Sequence, residues 1–116
     1  MTDKLLHLKE KVRAFADARD WDQFHSPKNL AMALIVEAAE LVEHFQWLTE
    51  EQSAGLPDKT RQEVEAEMAD ILIYLVRIAD KLDIDLYTAA VQKLEHNAEK
   101  YPVDKVRGLS KKYNEY

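Results

Sequence analysis

At 116 residues and 47% apolar composition, the chain carries enough hydrophobic material for one core and too much for a disordered polymer. Its formal net charge of −6 argues against a general nucleic-acid binder, which needs a basic face. Two glycines, three prolines and no cysteine leave little material for a turn-rich all-β fold and none for a disulfide framework or thiolate metal site.

Residues 3–19 place Leu5, Leu8, Val12, Phe15 and Ala16 at helical spacing, with Thr2 or Asp3 as the cap. Asp20 to His25 breaks that pattern with a short loop bearing Trp21, Phe24 and His25. Loops with exposed rings often bind something, although Trp21 and Phe24 could equally plug the end of a bundle. Ser26-Pro27 is a strong helix start, Ser as N-cap and Pro at the first helical position. The helix is predicted to run to about Leu48, so that Trp47 ends it. Its stripe is Leu30, Leu34, Ala38, Leu41, Phe45 and Leu48, widened by Ile35 and Val42. Thr49 and Gln52 fit a capping box for a short extra turn, which Gly55 ends.

A second long helix is predicted from Pro57 to about Leu82, with Val64, Met68, Ile71, Leu75, Ile78, Ala79 and Leu82 inward. A third follows to about Lys100, with Asp85 as N-cap and Pro102 as its stop. The residues beyond, from about 103 to 116, carry Lys105, Arg107, Lys111 and Lys112 and read as a mobile tail. The expected fold is all-α: an antiparallel bundle of about four helices in a single domain spanning 1–116. No apolar run approaches the ~18 residues of a membrane span, and no signal-peptide pattern opens the chain, so a cytoplasmic protein without a membrane partner is expected.

Chemistry gathers at Glu37-Ala38-Ala39-Glu40 and Glu67-Met68-Ala69-Asp70. Each stretch spaces two acids three residues apart, about 60° around a helix. One such pair alone is ordinarily a solvated face. Here both pairs lie at the margin of the apolar stripe on two long helices, and an acid in that register is a local inconsistency of the kind that marks sites. Two unit charges ~4 Å apart cost roughly 4 kcal/mol at an effective dielectric of about 20, so converging carboxylates call for a cation or shared protons. Oxygen-only ligands suit Mg²⁺. A di-iron bundle would show Glu-x-x-His on two helices, but Lys4, Asp22, Leu41 and Lys93 stand three residues before the four histidines. Glu63, one turn before Glu67, could support the site from behind. No Gly-rich phosphate loop and no nucleophile elbow occurs. Tyr74, a turn beyond Asp70, could reach a ligand or simply anchor helix packing. Trp47 could stack a base or fill the core.

The order Glu37-x-x-Glu40, Glu67-x-x-Asp70 resembles the signature of the MazG-like all-α nucleotide pyrophosphohydrolases. Arg19-Asp20-Trp21, Gln23-Phe24-His25, Pro27-x-Asn29-Leu30, Phe45-Gln46-Trp47, the run Asp70 to Val76 and Asn97-x-x-x-Tyr101-Pro102 are similar to its dCTP pyrophosphatase branch. The resemblance covers about residues 10–113. It implies Mg²⁺-dependent hydrolysis of nucleoside triphosphates to the monophosphate and pyrophosphate. It further implies Glu37, Glu40, Glu67 and Asp70 as catalytic metal ligands and Trp21, His25 and Trp47 around the base. Tyr74, Lys93 and Asn97 fall on other pocket positions, Lys93 as a phosphate contact. Relatives assemble as homodimers or dimer-derived tetramers, with sites built partly from neighbouring subunits. One departure is visible: many members carry a glycine within or just before the first acid pair, where this chain has Ala39 and Val36. The reading is therefore a nucleotide-pool house-cleaning hydrolase preferring dCTP or modified dCTP. Alternatives are the same reaction on dUTP or other triphosphates, or a non-catalytic helical interaction module.

Overall fold

The computed structural model describes residues 3–110. Every regular element among them is helical. The chain forms two compact units that divide between Ile84 and Asp85.

The first unit opens with α1, Lys4–Ala18, capped by the Asp3 carboxylate, which accepts the Leu6 N–H at 2.9 Å. The alternative cap, Thr2, lies outside the described residues. The chain leaves α1 through Asp20, whose φ of 54° is left-handed. A non-glycine residue pays steric strain there, eased in aspartate by local polar bonds. The Gln23 side-chain amide supplies them, donating to the Asp20 carbonyl and carboxylate at 3.0 Å each. The aromatic loop then forms a 3₁₀ turn, Asp22–Phe24. The Asn29 side chain donates to the Phe24 carbonyl at 3.2 Å and ties that turn to the next helix.

Helix α2, Pro27–Glu43, begins as the sequence predicts, with Ser26 Oγ accepting the Asn29 N–H at 3.1 Å. It ends well before Leu48. The N–H groups of His44 and Phe45 turn to the carbonyls three residues back, Leu41 at 3.2 Å and Val42 at 2.9 Å, which tightens the chain out of α-helical register. Trp47 therefore sits in a turn and not on the helix. Thr49 and Gln52 make the reciprocal capping box that starts α3, Glu50–Ala54. Helix α4, Asp58–Lys81, follows Pro57. Asp83, with φ 55°, closes it.

Both α1 and α2 pack on α4. The core they enclose centres on Ala16, Leu30, Val64, Val76 and Ala79. Leu34, Ala38, Leu41, Phe45, Ile71 and Ile78 are half-buried around it. The expected inward positions Met68, Leu75, Leu82 and Leu48 are exposed instead, Met68 by 57%. On α2, Met32, Ile35, Val36 and Val42 form a second apolar stripe at helical spacing, with Ile35 63% exposed. Each long helix thus has one apolar side inward and one uncovered. Periodicity marks a residue as apolar without saying which partner covers it.

In the second unit, Asp85 caps α5, Leu86–Lys100, by accepting the Thr88 N–H at 3.1 Å. Pro102 precedes α6, Val103–Val106, so the segment expected as a mobile tail begins with a helical turn. Its residues 111–116, including Lys111 and Lys112, lie outside the described residues. No helix of the described residues is long and apolar enough to cross a membrane.

Leu30 is the largest fully buried side chain. Truncating it leaves a cavity where α2 meets the core, and Leu30→Ala is expected to lose about 2–5 kcal/mol of stability in urea unfolding.

Candidate metal centre

Glu37 lies in the middle of α2, and Glu67 and Asp70 lie on α4, the helix it packs against. One carboxylate oxygen from each comes within 4.8 Å of the other two. Oε2 of Glu37 and Oε2 of Glu67 are both buried and accept no hydrogen bond. Buried polar atoms are nearly always satisfied, and an orphaned carboxylate oxygen is costly. Two of them facing a third acid are what an ionic ligand would satisfy. The donor set is all oxygen, which suits a hard divalent cation.

The electrostatics agree. Burial, then the neighbouring Glu40, pushes the Glu37 carboxyl up from its ordinary 4.5 to about 7, with Asp70 and Glu67 adding to the push. Glu67 is raised by the same two leading causes, burial and Glu40. Glu40 stands outside the set of three whose oxygens converge, yet its charge acts on two of them. Without a cation, the cluster holds protons it would ordinarily have lost.

The remaining candidates are distributed as follows. Tyr74 is half-buried one turn beyond Asp70. Trp21 and His25 lie together, ring centroids 6.3 Å apart and edge-on, and Phe15 also meets Trp21 edge-on at 5.7 Å. Trp47 is 86% exposed and fills no core of this chain. Lys93 and Asn97 occupy α5, one turn apart, in the second unit. Glu63 approaches His44 at 3.8 Å. Sequence reasoning missed Arg77, whose guanidinium bonds His25, Asp22 and Asp80. The available signal was an arginine between Val76 and Ile78 inside an apolar run, the same kind of inconsistency that exposed the acids.

The MazG-like family signature matches residues 32–116, a span that includes all four acids. The chain belongs to the MazG-like family. It is 44% identical over 103 residues to the Mus musculus protein named dCTP pyrophosphatase 1, a match covering 87% of this chain and 61% of that one. The Homo sapiens protein of the same name is 42% identical over the same shares. This MazG-like chain thus spans about three fifths of the length of the curated relatives it matches. A crystal structure titled as a pyrophosphatase from Archaeoglobus fulgidus superposes with a TM-score of 0.82 at 38% identity, covering 88% of this chain and 95% of that one.

A carboxyl whose folded pKa lies above its unfolded value favours folding only while protonated. The contribution is full below about 4.5 and is lost as pH rises through about 7. In chelator, the melting temperature should therefore fall between about pH 5 and pH 8. A saturating divalent cation should raise it more at pH 8 than at pH 6, because protons and cation compete for the same oxygens. Scanning calorimetry at both pH values, with and without cation, checks this.

Proposed function

We propose that the chain is a Mg²⁺-dependent nucleoside triphosphate pyrophosphohydrolase that prefers dCTP or a modified dCTP. The observation that carries this reading is the pair of buried, unbonded oxygens of Glu37 and Glu67 facing Asp70. Its support from kinship is the 44% identity with a dCTP pyrophosphatase across most of this chain. Trp21, His25 and Trp47 supply ring faces and a polar edge for a base, and base stacking on an aromatic ring contributes about 1–3 kcal/mol.

Glu37, Glu67 and Asp70 would hold the ion. Bound there, Mg²⁺ would neutralise triphosphate oxygens and lower the pKa of a coordinated water. Glu40, outside the converging three, would join them as a ligand or take a proton from the attacking water. The new bond joins the water oxygen to the α-phosphorus, and the bond from that phosphorus to the bridging oxygen breaks. Pyrophosphate departs, and Lys93 is the residue assigned to its charge. The family resemblance gives Tyr74 and Asn97 as further substrate contacts.

The uncovered apolar sides of α2 and α4 fit self-association, because single-chain proteins rarely expose contiguous apolar patches of that kind. A homodimer or a dimer-derived tetramer is accordingly part of the reading. Sedimentation should show a species larger than one chain, and Ile35→Lys should shift it toward monomer.

Replacing Glu67 with Gln removes one of the crowded charges and one candidate ligand. The variant should lose Mg²⁺-dependent pyrophosphate release by at least ~100-fold, in line with the 10–100-fold losses that even supporting residues produce. It should also melt higher than the parent in chelator at pH 8. Release assayed across dCTP, 5-methyl-dCTP, dUTP, dTTP, dATP and ATP, with and without Mg²⁺, tests the substrate. Best turnover of dUTP or a purine would replace the dCTP preference. No release from any triphosphate, with no nucleotide-induced rise in melting temperature, would favour a non-catalytic module.

A further inference from the structure

Arg77 is 3% exposed, although it carries a permanent charge. Its three donor groups point to three partners. Nε donates to His25 Nδ1 at 3.2 Å, one terminal nitrogen donates to Asp80 at 3.2 Å, and the other donates to Asp22 at 2.8 Å. Each acid has a second cation: Arg13 of α1 bonds Asp80 through Nε and a terminal nitrogen, and Lys81 bonds Asp22 at 2.7 Å. The guanidinium plane is thereby clamped from α1, from the 3₁₀ turn and from its own helix. Its Nε–H has one direction left, toward His25.

A guanidinium is not deprotonated in proteins, so its Nε–H is always a donor and the atom facing it must accept. Nδ1 of His25 therefore carries no proton. The neutral ring must hold its hydrogen on Nε2, and an imidazolium would set two N–H groups against each other. Burial and Arg77 hold His25 below its ordinary pKa, with Lys81 pushing the same way and Asp22 opposing. Among the described residues no hydrogen bond uses Nε2, and the Trp21 ring stands edge-on beside the imidazole.

We propose that Arg77 is a positioning residue that fixes His25 as a neutral Nε2–H donor, so that the base must present an acceptor, a keto oxygen or unprotonated ring nitrogen, at that point. This rests on the reading that Trp21 and His25 face the base. Arg77 touches no substrate. It acts by choosing the tautomer of the residue that does. A histidine left free would present a donor or an acceptor according to which nitrogen held the proton, and a charged donor at lower pH.

Nitrogen-15 NMR of the imidazole tests the clamp directly. The parent protein should show His25 as the Nε2–H tautomer between about pH 8 and pH 6; an Nδ1–H tautomer would overturn the proposal without any variant. Arg77→Met leaves Asp80 with Arg13 and Asp22 with Lys81, so neither acid is stranded. In that variant His25 should populate both tautomers and titrate at higher pH. Arg77→Lys, which keeps the charge but has no donor at the Nε position, should do the same if Arg77→Met fails to fold. Unchanged spectra in the folded variant would overturn the proposal. In kinetics, Arg77→Met should raise KM for the preferred triphosphate about tenfold, the equivalent of roughly one hydrogen bond, with a much smaller change in kcat. That KM should rise further toward pH 6, where the parent stays flat. His25→Ala separates the two readings. If it keeps the parent's base preference, His25 does not face the base and the proposal falls with that reading. If it loses the preference while Arg77→Met keeps it, His25 reads the base without help from Arg77, and only the positioning role falls.

Discussion

The packing of α2 on α4 is the constraint on which the rest depends. It buries Leu30 beneath the two helices and, in the same act, presses Glu37 toward Glu67 and Asp70. The apolar contact is favourable, and the carboxylate contact is not. Both are made by the same pair of helices, so the chain cannot relieve the repulsion without giving up part of its core. Crowded acids are tolerable here because the surrounding aliphatic packing is strong enough to hold them, and because an ion can reverse the sign of the interaction.

Two stretches of α4 show opposite treatments of buried charge. Arg77 lies seven residues beyond Asp70, about 10 Å along the helix. At Arg77 each guanidinium nitrogen finds an acceptor on the chain itself, and each acid is shared with a second cation. At Glu37 and Glu67 two acceptors find no donor. A saturated network gives rigidity, since each charge is held by more than one partner. An unsaturated one gives binding capacity. Family kinship says that a pyrophosphatase-like scaffold surrounds both, and the contrast suggests why a rigid charged clamp sits beside the aromatic loop while the open valences lie on the helix faces.

Much of this was legible from residue order. Ser26, Thr49, Gln52 and Asp85 cap the helices where their side chains predict, because capping is local chemistry between residues three apart. The acid pairs were legible because acids at the edge of an apolar stripe stand out. Three things were not. The early end of α2 depends on which carbonyls receive the His44 and Phe45 N–H groups, and periodicity carries no such information. Met68 and Leu75 are exposed because no other part of the described chain packs over them, which periodicity does not report. The role of Arg77 depends on partners more than fifty positions away in sequence, at Asp22 and His25. Pattern reading succeeds for contacts within a turn and fails for contacts set by tertiary closure.

The raised Glu37 carboxyl has a consequence outside the fold. Near neutrality and without a cation, the Glu37 carboxyl, pushed up to about 7 by burial and by Glu40, keeps its proton for part of the time. An ion that needs ionised ligands must expel that proton as it enters. Uptake of the metal is therefore an exchange reaction, with hydrogen ions as its by-product. Proton and divalent-ion concentrations would then be two inputs to one occupancy, and a fall in either pH or ion concentration would lower it.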